Sequence, residues 1–102
     1  MSSVETIEYP DAANIAARVE AVAGVAGLSG GHFGEVALLF PGHRVPGLRL
    51  DRSGHLQVHL IADLDSVTDF HALADAVRAA IAADITATPI DVIIADAVAQ
   101  PR

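Results

Sequence analysis

The sequence predicts an α+β domain: two layers, with a mixed three- or four-stranded sheet carrying two helices on one face, in the order α-β-β-β-α-β. Three observations predict it. Two segments, one early and one late, repeat apolar residues at helical spacing. Between them run short apolar segments punctuated by Gly and Pro. The late helical segment is enclosed by two strand-like segments, and such a crossover makes its two strands parallel.

Residues 1–10 read as a mobile lead, 11–98 as one domain and 99–102 as a tail. Asp11, after Pro10, is the candidate N-cap of a first helix over about 11–23, because its carboxylate can accept a free amide of the first turn. Ile15, Val19 and Val22 recur at i, i+4 and i+7, with Ala12 and Ala16 beside them, and form one apolar stripe. Gly24 stops this helix. Residues 24–34 read as a glycine-rich connector. A strand follows at about 35–40, and Pro41-Gly42 and Pro46-Gly47 bracket a loop.

A hairpin comes next, with a register set by its loop. A three-residue loop, Arg52-Ser53-Gly54, places Leu50 opposite Leu56, Leu48 opposite Val58, Arg49 opposite Gln57 and Asp51 opposite His55. A two-residue loop would set Leu50 against Gln57 and Leu48 against His59, mixing the faces. The first register gives one apolar face of Leu48, Leu50, Leu56 and Val58. The other face is wet and carries Arg49, Asp51, His55, Gln57 and His59.

The second helix is expected from Ser66 to about residue 84, with Asp69 at its third position. Val67, Phe70, Leu73, Ala74, Val77, Ile81 and Ile85 make its buried stripe, so Phe70→Ala is expected to cost more stability than Val77→Ala. Ala72, Ala76 and Ala79 face away from that stripe. Small side chains there suit close approach of another chain, and they also suit plain helix propensity. Residues 90–96 form the last strand. It is apolar almost throughout, as a strand flanked by neighbours would be.

Composition narrows the function. The net charge is −7, Lys is absent and the six Arg are scattered, so no basic surface for nucleic acid assembles. The same charge disfavours anionic lipid. No apolar run approaches the ~20 residues of a spanning helix, and no signal peptide is visible, so no direct membrane insertion and a cytoplasmic location are expected. There is no Cys and hence no thiolate chemistry or disulfide.

No site for chemistry is legible. The glycine connector lacks the strand-loop-helix order and the Lys of a phosphate loop. His55 and His59 share a strand face but stand ~13 Å apart along it, too far to converge on one metal ion. His71 and Asp75 read as a surface pair one helical turn apart. Asp63, Asp65 and Asp69 lack the Gly and distal Glu of a calcium loop and read instead as acids at a helix N-terminus. No Gly-x-Ser-x-Gly elbow is present. No catalytic residue, cofactor or metal ligand is therefore assigned.

Two blocks carry a family resemblance. The first is Ile15 to Leu28, a helix running into Val22-Ala-Gly-Val-Ala-Gly-Leu28. The second is Gly54 to Val98, with the alternation of Leu56, Val58 and Leu60, a helix containing Ala76-Val77-Arg78, and Ile90-Asp-Val-Ile-Ile-Ala-Asp96. Together they resemble the alkaline shock protein family of bacterial envelope stress response proteins. The middle, from Gly30-Gly-His-Phe-Gly to Pro41-Gly-His-Arg-Val-Pro-Gly47, resembles its short actinobacterial branch. Ala62-Asp-Leu-Asp65 stands where many members have Tyr-Gly. The resemblance implies a cytoplasmic, non-enzymatic protein of envelope homeostasis. Such a protein acts as a homo-oligomer or through a membrane-anchored partner, which would hold it near the membrane. The candidate interaction residues, read from the outward faces of the second helix and the hairpin, are Ala72, Ala76, Ala79, Arg49, Gln57 and His59. The alternative is a small-molecule or metal-binding module using the His-bearing sheet face.

Overall fold

The computed structural model of the chain describes residues 7–85 and 88–99. Helix α1 (Tyr9–Glu20) leads into β1 (Val25–Leu28), β2 (Ala37–Phe40), β3 (His43–Pro46), β4 (Leu48–Leu50) and β5 (Leu56–Asp63). Helix α2 (Phe70–Ile81) and β6 (Ile90–Val98) complete the order. The α+β class holds, and so does the mixed sheet. It has four strands, with β5 antiparallel to β1 and β4 and parallel to β6.

Two strands go beyond the expected order. Val25–Leu28, inside the glycine connector, pairs with residues 60–62 of β5. The loop bracketed by Pro41 and Pro46 contains β3, which folds back on β2 as a separate two-stranded hairpin. Each added strand is only four residues long, too short for a period to stand out between glycines and prolines. The chain passes from this hairpin to the main sheet at Gly47. Its φ of +90° is open to glycine, and an added Cβ would sit 2.6 Å from Leu28 Cβ.

The β4–β5 register is the expected one: Leu48 faces Val58, Arg49 faces Gln57 and Leu50 faces Leu56. Gly54, at φ +83°, closes the three-residue loop, and the Asp51 amide donates to the His55 carbonyl at 3.0 Å.

One core lies between the sheet and both helices. Leu56, Val58, Leu60 and Ala62 of β5 are fully buried, and Ile15, Val19, Leu73, Val77 and Ile81 descend on them from α1 and α2. Both helices therefore cover the same sheet face. Ile85 is buried beyond the end of α2, as its spacing suggested. Tyr9 stacks on His43 at 4.0 Å and meets Phe40 edge-on, tying α1 to the small hairpin.

Three local expectations are corrected. Helix α1 begins at Tyr9 and ends at Glu20, with Glu8 at its N-cap, Pro10 in its first turn and Asp11 inside that turn. Pro is well placed there because its missing N–H would be unsatisfied anyway. Ile7 and Tyr9 pack against the core, so the ordered region starts before residue 11. Helix α2 starts later than expected, at Phe70. Asp69 is its N-cap rather than its third residue and accepts from the amides of His71 (2.9 Å) and Ala72 (3.1 Å). Phe70 is accordingly 41% exposed. It lies on the apolar stripe by spacing, but it is the first helical residue. Helical side chains lean toward the N-terminus, so its ring leans off the packed turns.

Candidate functional site

Three surfaces carry the residues singled out above. The first is the edge of the main sheet. Strand β4 pairs with residues 56–58 of β5, and β1 pairs with residues 60–62, so the two lie end to end along one side of it. Strand β6 runs the full length of the other side, pairing from Leu56↔Ile90 to Asp63↔Val98. Among the described residues nothing pairs with the far side of β6. The expectation that this strand has neighbours on both sides is therefore corrected. Its apolar character comes from packing Ile90, Val92 and Ile94 against the core on one side of the sheet.

Backbone directions along β6 follow from one bond. The Leu56 amide donates to the Pro89 carbonyl at 2.8 Å, so position 89 points at β5. Alternation then turns the amides and carbonyls of Ile90, Val92 and Ile94 outward. The Ile90 carbonyl accepts from Arg78 Nε at 3.4 Å, as an outward group should. A bulge interrupts the ladder between Ile94 and Asp96, and the Asp96 carboxylate accepts the Ala97 amide at 2.8 Å. Bulges and charges of this kind blunt an edge. They leave Val92 to Ile94 as the open stretch.

The second surface is the sheet face away from the helices. Arg49 is exposed there, and Gln57 and His59 are half-buried. His59 Nε2 and Gln57 Oε1 lie 3.1 Å apart. A polar concavity of about 400 Å³ opens here, lined among others by Ser29, His32, Glu35, Arg49, His59 and Asp96. Burial, helped by the nearby Arg49 charge, pulls the His59 imidazole below its ordinary value, so it tends to stay neutral. Amide hydrogen bonds from Glu35 and Phe33 hold the Glu35 carboxyl below the usual range, and it stays ionised.

The third surface is the outer side of α2. Ala72, Ala76 and Ala79 are all exposed, as expected. Ala72 and Ala76 floor a shallow depression of about 250 Å³ beside Ala23, Val67 and Leu73. Asp75 pairs with Arg78 at 2.9 Å, not with His71.

A fourth grouping was missed. His55 Nδ1 lies 3.0 Å from Asp91 Oδ2, and Asp51 completes a corner where three donor atoms fall within 4.8 Å. Half of the signal was legible, since the hairpin register already set Asp51 beside His55. Asp91 enters only through the parallel β5–β6 register, which sequence spacing does not fix. The acids before α2 keep local roles. Asp63 accepts from the Asp65 amide and the Ser66 hydroxyl, and Asp69 caps the helix.

Among the described residues, no helix is long and apolar enough to cross a membrane. Comparison with protein-family models, curated proteins and solved structures found no match to the chain.

Proposed function

We propose that the chain is a non-enzymatic interaction domain that pairs with a second copy of itself along the open edge of β6. The observation behind this reading is the outward backbone of Val92 and Ile94, on a strand with no outer neighbour among the described residues. A row of unpaired amides and carbonyls is a template for another strand. Self-pairing suits this strand. In an antiparallel arrangement with the two-fold at Ile93, Val92 exchanges hydrogen bonds with Ile94 of the second copy. Ile93 meets its own copy, and Asp91 falls opposite Ala95. No acid then faces an acid, and the bulge and the Arg78 contact stay outside the paired stretch. Closed two-fold pairing is also the commonest assembly.

The broader role follows the resemblance to the alkaline shock proteins: cytoplasmic, in envelope homeostasis, with a membrane-anchored protein as the further partner. The outer side of α2, with Ala72, Ala76 and Ala79, is left free by edge pairing and suits that partner. Hydrogen exchange tests the edge. The amides of Val92 and Ile94 are expected to exchange slowly at high protein concentration and quickly at low. Equal, fast exchange at both would count against pairing there.

A second reading, a small-ligand module, rests on the polar concavity beside Arg49 and His59. Chemical-shift changes confined to Arg49, Gln57 and His59 on adding a small polar ligand would favour it over edge pairing.

A further inference from the structure

We infer that Asp51, His55 and Asp91 form a binding site for a divalent first-row transition cation, with Zn²⁺ as the natural probe. One donor atom from each residue lies within 4.8 Å of the other two. The three come from the residue after β4, the residue before β5 and the start of β6, so the site exists only in the folded chain. Backbone bonds fix all three segments. The Asp51 amide donates to the His55 carbonyl at 3.0 Å, the Gly54 amide to the Asp51 carbonyl at 3.1 Å, and the Leu56 amide to the Pro89 carbonyl at 2.8 Å.

The donors are already aimed. Asp51 Oδ1 accepts the amides of Ser53 (2.8 Å) and His55 (2.9 Å), which fixes the carboxylate beside His55. His55 Nδ1 and Asp91 Oδ2 stand 3.0 Å apart, close to the separation of two ligands on one tetrahedral ion. Charge points the same way. Two carboxylates beside one imidazole need two positive charges; a protonated His55 supplies one and a dication supplies both. Imidazole with carboxylates suits zinc and its first-row neighbours. Three protein donors leave a coordination position for water or a small anion. All three residues are half-buried, so a hydrated ion can reach them.

The test uses the full chain without a polyhistidine tag, stripped with chelator and titrated with ZnCl₂ by calorimetry. Co²⁺ absorption serves as a second readout of ligand geometry. One equivalent is expected to bind. Asp91→Asn and His55→Gln are each expected to weaken binding by at least ~10–100-fold, the loss that substitutions outside the ligand set already cause. Both are expected to keep the circular dichroism of the metal-free parent, since neither residue is in the core. No saturable binding, or a weakening of less than tenfold in both variants, would overturn the assignment. In the latter case zinc sits on other histidines.

Discussion

Ile81→Ala is expected to cost far more than Phe70→Ala, although Phe is the larger residue and both lie on one stripe of α2. Ile81 is fully buried. The substitution removes three carbons, worth roughly 2.4 kcal/mol in lost transfer at ~0.8 kcal/mol each. It leaves a void of ~80 Å³, worth up to about 2 kcal/mol at ~24 cal/mol per Å³. Partial collapse trims this to a total of ~3–4 kcal/mol. Phe70 keeps 41% of its surface in water. Truncating it forfeits ~70 Å² of buried apolar area, or ~1.7 kcal/mol at ~25 cal/mol per Å². Residual burial in the denatured chain lowers this to ~1–1.5 kcal/mol. No cavity forms, because the space opens to solvent. Urea unfolding followed by far-ultraviolet circular dichroism measures both, since a chain with no Trp and one Tyr offers little fluorescence. Equal losses, or a greater loss for Phe70→Ala, would refute this account of where α2 begins and how it docks.

Other outcomes follow from the same geometry. Val77→Ala, at a fully buried position, is expected to cost about 2 kcal/mol and to exceed Phe70→Ala in the same assay. Asp69→Ala removes a cap that accepts two amides and is expected to cost ~1 kcal/mol in urea unfolding, with Asp69→Asn closer to neutral. Gly47→Ala forces a left-handed backbone, at ~1–2 kcal/mol, and adds a clash with Leu28, so its midpoint is expected to drop further than that of Asp69→Ala. The His59 imidazole is held below 6.5 mainly by burial, so the unfolded chain binds its proton more readily than the folded one. Its contribution is therefore present above pH 6.5 and fades as pH falls through the folded value. Urea midpoints of the parent and of His59→Gln between neutral and mildly acidic pH check this. The parent is expected to lose more stability over that interval, and parallel slopes would contradict it.

What could be read from the sequence was what period and turn chemistry control. The hairpin register was legible because Gly54 fixes the loop and a one-residue slip would bury Gln57 and expose Leu56. The stripe Leu73, Val77 and Ile81 was legible for the same kind of reason. Strand β3 was not, because four residues between Pro41 and Gly47 read as a loop until β2 pairs with them. The edge position of β6 was also hidden. A strand packed under a helix on one face reads as apolar whether or not a neighbour lies beside it. The Asp51, His55 and Asp91 corner needed the long-range β5–β6 register, which lies across an intervening helix and leaves no local signature. Periodicity placed the exposed alanines of α2, and periodicity with the Gly54 loop placed the wet face of Arg49, Gln57 and His59. What those surfaces meet is a matter of partners, and periodicity carries no information about them.

Sedimentation velocity over a wide range of concentrations, run on the parent chain and on Ile93→Lys, tests edge pairing most directly. Ile93 lies opposite His59 on the sheet face away from the helices, so a lysine there leaves the core intact. At the proposed two-fold it would set two lysines directly opposite each other, with Cβ atoms ~5 Å apart, and like charges so placed oppose pairing. The parent is expected to shift from monomer to dimer as concentration rises, while Ile93→Lys stays monomeric with an unchanged circular dichroism spectrum. A parent that remains monomeric throughout, or a variant that dimerises as readily as the parent, would contradict pairing through β6.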